Sequence, residues 1–385
     1  MLKLIRLTTV PISFVALLKG QLHFMNNYFD VIGISSKGSH LEEVHKNEGI
    51  RVISIEMSRK ITPLQDLKSL GQLYFLFRKE RPTIVHTHTP KAGTLGMVAA
   101  WLARIPYRLH TVAGLPLLEA DGTKRVLLNI VERLTYKCAT KVYPNSYGLE
   151  KIILFEKLCS RSKLVVLANG SSNGINTSYF NPYLFSYDSK IKIELGIRKE
   201  DLVYIFVGRL VKDKGINELI QAFCGINKKH HGTKLLLVGS FERDLDPLLL
   251  VTENEINNNP NIISIGYKSD VRPYFSISDI LVFPSYREGF PNVVMQAGAM
   301  ELPSIVTNIN GCNEIIVDGV NGLIIPPKNV EQLQEKMALL IEDSNLRAQL
   351  KQNAREMITS RYEQQYVWNA LLEEYKSLES QVIHE

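Results

Sequence analysis

The segment Glu288-Gly289-Phe290-Pro291-Asn292, followed at 296 by Gln296, sets a carboxylate, a glycine, a proline and two amides where an apolar strand gives way to a helical pattern. Gly289 permits close backbone approach, and Pro291 suits a first helical turn. Free N–H groups and the dipole at such a helix start attract a phosphate or the polar edge of a sugar. A helix running from 288 to 296 would separate Glu288 from Gln296 by roughly 12 Å along its axis, enough to grip two parts of one extended ligand. A surface glutamate ahead of an ordinary helix is the plain alternative. A second cluster, Gly208-Arg209-Leu210-Val211-Lys212-Asp213-Lys214-Gly215, follows the apolar run 203–207. Arg209 brings a planar two-pronged fork and Lys214 a compact charge. Together they can clamp a diphosphate and stabilise the charge that a departing one gains, without a metal. Asn310-Gly311-Cys312-Asn313-Glu314 is a third turn just past a strand, and its backbone can line the same crevice.

Three histidines also stand at strand ends. His110 closes the run Arg108-Leu109-His110-Thr111, where a core histidine is the competing reading. His86 and His88, two apart on a strand, face one side of it, but no third ligand accompanies them, so no metal is expected. Cys138, Cys159, Cys224 and Cys312 lie far apart without a Cys-x-x-Cys pair, which excludes a zinc knuckle and a disulfide framework.

These residues need elements to position them. Strand patterns fall at 3–9, 29–35, 51–56, 83–88, 107–111, 141–145 and 163–167, with helical patterns such as 64–79, 91–104 and 123–138 between them. The alternation repeats with strands at 202–207, 234–238, 261–266, 280–284, 304–307 and 323–325. This predicts an α/β chain of two Rossmann-like, doubly wound domains facing a central cleft. The turn-rich stretch from 169 to about 189 divides them, giving domains 1–180 and 181–360 and a final helix, 361–385, that packs back on the first. Ligands of such folds sit at the carboxyl ends of the strands.

Composition narrows the class. Hydrophobic residues make up 45% and charged residues 22% of the 385, an ordinary globular balance, and no apolar stretch reaches the roughly 18 residues of a membrane span. Lys3 and Arg6 ahead of the apolar residues 10–18 imitate a signal peptide, yet Pro11, Ser13 and Lys19 interrupt that run and no small-residue cleavage site follows. A cytoplasmic location is expected. Net charge is +6, but residues 1–180 hold 24 Lys+Arg against 12 Asp+Glu, and residues 181–385 hold 21 against 27. The basic half suits an anionic membrane surface or a phosphorylated ligand, or is simply a solvated surface. No nucleic-acid motif accompanies it.

In this order, the three turns, together with Asn173-Gly174-Ile175-Asn176, Ile265-Gly266-Tyr267 and Ser278-Asp279-Ile280-Leu281-Val282-Phe283-Pro284-Ser285, resemble the retaining glycosyltransferases of family 4, of GT-B architecture. Within that family the likeness is to bacterial enzymes that assemble capsular polysaccharide or O-antigen. The resemblance implies an acceptor-side first domain and a second domain that binds a nucleotide sugar, with UDP as the preferred nucleotide. It implies that Arg209 and Lys214 hold the diphosphate, that Glu288 with the backbone of Gly289, Phe290, Pro291 and Asn292 binds the transferred sugar, and that His110 lies beside the reacting centre as a hydrogen-bonding, positioning group. It implies no cofactor. A polyprenyl-diphosphate-linked saccharide is the expected acceptor, with Lys91 and its helix start facing it, and the basic first half touching the inner face of the cell membrane. The stretch 14–22 is one candidate for that contact; packing into the core is the other. Two departures stand out. Thr8-Thr9-Val10-Pro11-Ile12-Ser13 lacks the glycine-rich turn of the family, and Gln296 replaces a glutamate expected to bind ribose. A nucleotide-sugar epimerase of the same architecture and a non-catalytic sensor remain as rival classes. Because an amide retains one acceptor oxygen and adds a donor, Gln296→Glu is predicted to keep activity without a large rise in donor KM; a collapse of turnover in steady-state assays would assign the position another role.

Overall fold

Val203, Tyr204, Ile205 and Phe206 are inaccessible to solvent, as consecutive residues of a parallel strand covered by helices on both faces must be. The structure, a computed structural model, describes residues 1–58, 60–185, 189–244 and 246–382. The chain divides into two units, Met1–Gly174 with Gln364–Glu385, and Ile175–Glu363. Among the described residues each holds one parallel sheet of six strands.

Unit 1 contains β1 (Lys3–Leu7), β2 (Asp30–Ser35), β3 (Arg51–Ser54), β4 (Ile84–Thr87), β5 (Tyr107–Val112) and β6 (Lys141–Pro144), in the order β3-β2-β1-β4-β5-β6. Its helices are α1 (Ile12–Leu17), α2 (Gln21–Asn26), α3 (Ser39–Glu48), α4 (Pro63–Glu80), α5 (Pro90–Leu102), α6 (Gly122–Cys138) and α7 (Tyr147–Phe155). Strand order reverses between β1 and β4. At their carboxyl ends Thr9 and Thr89 share a hydroxyl contact of 2.7 Å, and the Ala92 N–H donates to Thr9 Oγ1 at 3.2 Å.

Unit 2 repeats the plan with β7 (Leu202–Val207), β8 (Thr233–Val238), β9 (Ile262–Ser264), β10 (Ile280–Phe283), β11 (Ser304–Thr307) and β12 (Gly322–Ile325), in the order β12-β11-β10-β7-β8-β9. Its helices are α8 (Ser189–Glu194), α9 (Ile216–Asn227), α10 (Leu250–Asn258), α11 (Arg272–Ser276), α12 (Asn292–Ala299), α13 (Cys312–Ile315), α14 (Val330–Glu342) and α15 (Ser344–Tyr362). The last helix, α16 (Gln364–Val382), belongs to unit 1.

Two sequence expectations shift, and one left between two readings is resolved. The division falls at 174/175 rather than 180/181, because the Ile175 N–H donates to the Tyr362 carbonyl at 2.8 Å and Ile175 and Phe180 lie in the unit 2 core. No strand forms at 163–167: Arg161–Lys163 is a 3-10 turn, and only an isolated bridge joins Leu164 to Val142. Phe14, Leu18 and Leu22 are buried beside Leu4, Val31 and Ile84, so the stretch 14–22 packs into the core.

Leu371, Leu372, Tyr375 and Leu378 of α16 share that same core. Behind it lies a buried polar cluster built on Arg6 in the middle of β1. The fully buried guanidinium donates to His88 Nε2 (2.9 Å), to the Tyr375 hydroxyl (3.2 Å) and to Gln21 Oε1 (2.5 Å). His86 Nδ1 lies 2.5 Å from the Tyr375 hydroxyl, and its Nε2 lies 2.7 Å from Thr111 Oγ1. Burial, reinforced by the Arg6 charge, holds both histidines well below the ordinary imidazole range. Tyr375→Phe is predicted to strand Arg6 and His86 without water, costing about 1–3 kcal/mol, read as a lower denaturant midpoint. His86 and His88 bind fewer protons folded than unfolded below about pH 6.5, so their stabilisation is complete above that value and is lost as pH falls beneath it. Melting temperature is therefore predicted to drop steadily from pH 7 to pH 5, and a flat profile in scanning calorimetry would contradict the assignment of neutral rings.

Candidate functional site

In unit 2 the strand order reverses between β7 and β10, which pair directly through Tyr204 with Ile280 and Ile205 with Leu281. The carboxyl ends of these two strands gather most of the nominated residues. After β7 the chain carries Arg209, makes one 3-10 turn over Lys212–Lys214 and enters α9 through Gly215, whose φ is 71°. A Cβ on Gly215 would collide with the Pro284 carbonyl, so only glycine lets this turn press against the end of β10. Lys214 Nζ then donates to Glu288 Oε1, with both side chains largely buried. Ser285 Oγ donates to the same carboxylate oxygen at 3.0 Å.

The loop bearing Glu288 is braced from behind. The Asn310 amide donates to the Glu288 carbonyl and, at 3.2 Å, to the Gly289 carbonyl. Thr307 Oγ1 donates to the Ser285 carbonyl. The third sequence motif therefore acts through its Asn310 side chain, holding the backbone that presents Glu288. Phe290 is buried against Tyr362 with ring centroids 5.3 Å apart, and so anchors the loop. Pro291 is the residue before α12, at φ −75° and ψ 108°, rather than part of its first turn. Since α12 begins at Asn292, the helical spacing assumed between Glu288 and Gln296 does not apply. Asn292 and Gln296, one turn apart, share a helix face, and both are half-buried.

Arg209 is half-exposed and pairs with Glu242 at 2.7 Å, with Asp213 4.0 Å away. Asp213 also receives Arg287 at 2.6 Å, and burial pushes its carboxyl above the ordinary range despite the neighbouring cations. Sequence reasoning missed Ser285, Asp213, Glu242 and the bracing role of Asn310. Ser285, Asp213 and Asn310 lay inside quoted motifs, but nothing in residue type showed which way their side chains turn.

In unit 1, His110 is 3% exposed. Its Nδ1 lies 2.8 Å from Thr87 Oγ1, and a Cβ on Gly93 of α5 would overlap its ring. Burial lowers its pKa to about 4. The ring is thus a neutral wedge between β4, β5 and α5, and the loop 113–114 follows at the strand end. His86 has both ring nitrogens engaged by Tyr375 and Thr111; His88 Nε2 accepts from the Arg6 Nε–H, which makes its Nδ1 the protonated nitrogen of the neutral ring, buried without a partner among the described residues.

Near Thr9 and Thr89, at the switch point of the same sheet, lies a cavity of about 550 Å³. Its wall is mainly apolar, with Ile61, Leu95, Pro116, Leu127, Leu128 and Val131 supplied by the loop before α4, by α5, by α6 and by the turn before α6. Its polar edge holds Thr9, Thr89 and the Lys91–Asp66 ion pair of 2.5 Å. Buried Glu132 also lines it, its carboxyl raised by burial.

Comparison with known proteins supplies the context for this geometry. A family model described as glycosyl transferases group 1 matches residues 188–357, and one described as glycosyl transferase 4-like domain matches residues 33–170. The chain is 36% identical over 380 residues to the capsular polysaccharide biosynthesis glycosyltransferase CapM of Staphylococcus aureus, covering 97% of each. It is 29% identical to the UDP-Gal:alpha-D-GlcNAc-diphosphoundecaprenol alpha-1,3-galactosyltransferase of Escherichia coli, over 87% of this chain and 86% of that one. Among solved structures, Anabaena HepE in complex with UDP shares the fold with a TM-score of 0.80 at 19% identity, over 97% of this chain and 100% of that one. Identity sustained at the first of these levels through both sheets leads to one conclusion: this chain belongs to the group 1 glycosyl transferases, the GT-B family 4 that its motifs resemble, and is a glycosyltransferase.

Proposed function

We propose that the protein transfers a hexose or modified hexose from a UDP-sugar to a saccharide carried on a polyprenyl diphosphate, with retention at the anomeric carbon, during assembly of a surface polysaccharide. The observation that carries this reading is the meeting of Lys214 and Glu288 at the carboxyl ends of β7 and β10, with Arg209 and the start of α12 beside them. The names of the two relatives support it, one as a capsular enzyme and one as a UDP-Gal transferase acting on a diphosphoundecaprenol-linked sugar. UDP in the Anabaena structure supports the choice of nucleotide. Retention rests on the family likeness.

In this reading the Lys214–Glu288 pair is a seat that the donor takes over. Diphosphate oxygens replace carboxylates as the partners of Lys214 and Arg209. The released Glu288 oxygen accepts from a hydroxyl of the transferred sugar, while Asn292 and Gln296 face the nucleotide. As the bond from the anomeric carbon to the β-phosphate oxygen breaks, negative charge gathers on UDP, and fixed cations lower that barrier. The acceptor oxygen makes the new bond, and its proton leaves with the phosphate or to water. His110 serves as a positioning residue that sets the strand end before Ala113 and Gly114. The 550 Å³ cavity of unit 1 seats the lipid-linked acceptor, its apolar wall for the chain and its Lys91 edge for phosphate. A nucleotide donor and a membrane-borne acceptor place the reaction at the cytoplasmic face of the membrane.

Incubating UDP-galactose, UDP-glucose and their N-acetyl forms with polyprenyl-diphosphate-linked sugars is predicted to yield an acceptor one sugar longer. The double variant Arg209→Met/Lys214→Met should lose UDP-induced thermal stabilisation and at least about 100-fold in kcat/KM. Sugar isomerisation without transfer, or binding without turnover, would replace this reading with an epimerase or a sensor; unchanged nucleotide recognition in the double variant would remove the donor site from these strand ends.

A further inference from the structure

Two ion pairs tie the turn after β7 to the loop after β10. Asp213 and Lys214 are consecutive in the 3-10 turn, and Arg287 and Glu288 are consecutive in the loop. Lys214 pairs with Glu288, while the Arg287 guanidinium donates to Asp213 Oδ2 at 2.6 Å. The signs are crossed: each segment offers one carboxylate and one cation, and each charge meets its opposite on the other segment. The backbone takes part as well, since the Tyr286 N–H donates to the Asp213 carbonyl at 2.9 Å. From outside the pair, Asp246 Oδ2 accepts from the Asp213 N–H at 2.7 Å, and Glu218 Oε1 accepts from the Tyr286 hydroxyl at 2.5 Å. Asp213 Oδ1 is buried with no hydrogen-bond partner among the described residues. Arg287 is 47% exposed, and a pair open to water on one side adds little to folding stability, so its effect falls on geometry. Burial lowers the Arg287 pKa while the charge of Glu288 acts the other way. Glu288 is thus the carboxylate to which Arg287 would turn if Asp213 lost its charge.

We infer that Asp213, acting through Arg287, is a positioning residue of the transfer: it keeps the β7 turn and the β10 loop in register while the donor takes Lys214 away from Glu288. The inference rests on the donor reading, in which the Lys214–Glu288 pair is exchanged, and it names the contact that stays. The Asp213–Arg287 pair lies one residue before the exchanging pair on both segments, so it persists when diphosphate oxygens become the partners of Lys214. It also occupies Arg287, whose guanidinium would otherwise compete with a sugar hydroxyl for the released Glu288 oxygen. A sugar held by Glu288 must keep its anomeric carbon in place, since a misplacement of about 1 Å can cost about 100-fold in rate. The nucleotide meets α12 and Arg209 and depends less on where this loop sits. Asp213 therefore governs turnover more than nucleotide affinity.

The test compares kcat with UDP affinity in Asp213→Asn, Arg287→Gln, Arg287→Lys and the double variant Asp213→Asn/Arg287→Gln, with thermal stabilisation by UDP as the check that each folds. Asp213→Asn is expected to lower kcat on the order of 100-fold, while the UDP concentration giving half-maximal stabilisation stays near the parent value. Arg287→Gln should lose less, and Arg287→Lys, which keeps the charge opposite Asp213, should stay close to the parent. The double variant should turn over no more slowly than Asp213→Asn, because no guanidinium is left to seize Glu288. A second readout needs no acceptor: the stabilisation that UDP-galactose adds beyond UDP should shrink in Asp213→Asn. Parent-like turnover in both single variants overturns the inference, as do additive losses in the double variant or equal losses of UDP affinity and turnover, which would mark a general role in folding the site. A parent protein that UDP does not stabilise overturns the donor reading and this inference with it; one that UDP stabilises but whose turnover ignores Asp213→Asn overturns this inference alone.

Discussion

Everything at the candidate donor site depends on β7 and β10 lying side by side although β8 and β9 come between them in the chain. That reversal sends the two strand exits in different directions and leaves a gap at their carboxyl ends, which is why open α/β sheets bind ligands there. Gly215 sets how closely the gap is walled, since its missing Cβ lets the 3-10 turn rest on the Pro284 carbonyl. The carbonyls exposed by the turns are not left bare: Asn310 takes those of Glu288 and Gly289, and Thr307 takes that of Ser285. Side chains beyond the site thus satisfy the backbone that would otherwise be free to move. The Lys214–Glu288 pair completes this logic. Two largely buried opposite charges hold one another in place, so in the proposed reading binding is an exchange of partners at a site already ordered.

Unit 1 faces a different constraint, a guanidinium with no access to water. Arg6 sits mid-strand with hydrogen-bonding partners His88, Tyr375 and Gln21, all neutral. Burial lowers its pKa, and the same burial keeps His86 and His88 uncharged, which removes a repulsion the cluster could not tolerate. Tyr375 comes from the last helix of the chain, and Trp368 of that helix donates to Asn173 Oδ1 at 2.7 Å, beside the point where unit 1 ends. The first strand and the last helix therefore complete one polar core, and α16 is part of the fold of unit 1 rather than an appendage.

Much of this was legible in the sequence because burial leaves a periodic trace. The run 202–207 became β7 and 304–307 became β11 without a change of boundary, and 123–138 became α6 with one residue added. The failures share a cause. The pattern at 163–167 is as β-branched as a strand, yet Leu164 finds only a single bridge to Val142, and pairing is a property of neighbours that the segment does not encode. The spacing from Glu288 to Gln296 invited a continuous helix, but Pro291 takes an extended conformation and starts α12 only after itself. The family likeness sets His110 beside the reacting centre, a role these contacts leave open; the fit of its ring against Gly93, a contact across 17 residues, is what no local pattern reveals. Ion-pair partners such as Glu242 for Arg209 lie 33 residues off for the same reason.

The two amphipathic segments of unit 1 show the limit most clearly. Residues 14–22 and residues 123–138 both carry an apolar stripe at helical spacing with cations nearby. Periodicity says that a stripe exists, and only packing says which way it faces. In α1 and α2 the apolar residues close over the sheet with α16 laid across them. In α6 the inner side is already filled by Thr135, Tyr136 and Cys138 against α5 and the sheet, so Val126, Leu127, Ile130 and Leu134 have nowhere to go but outward. Tyr136 and Cys138, with the partly buried Leu128, supply the core contact of this helix, which leaves Val126, Leu127, Ile130 and Leu134 on its outer side.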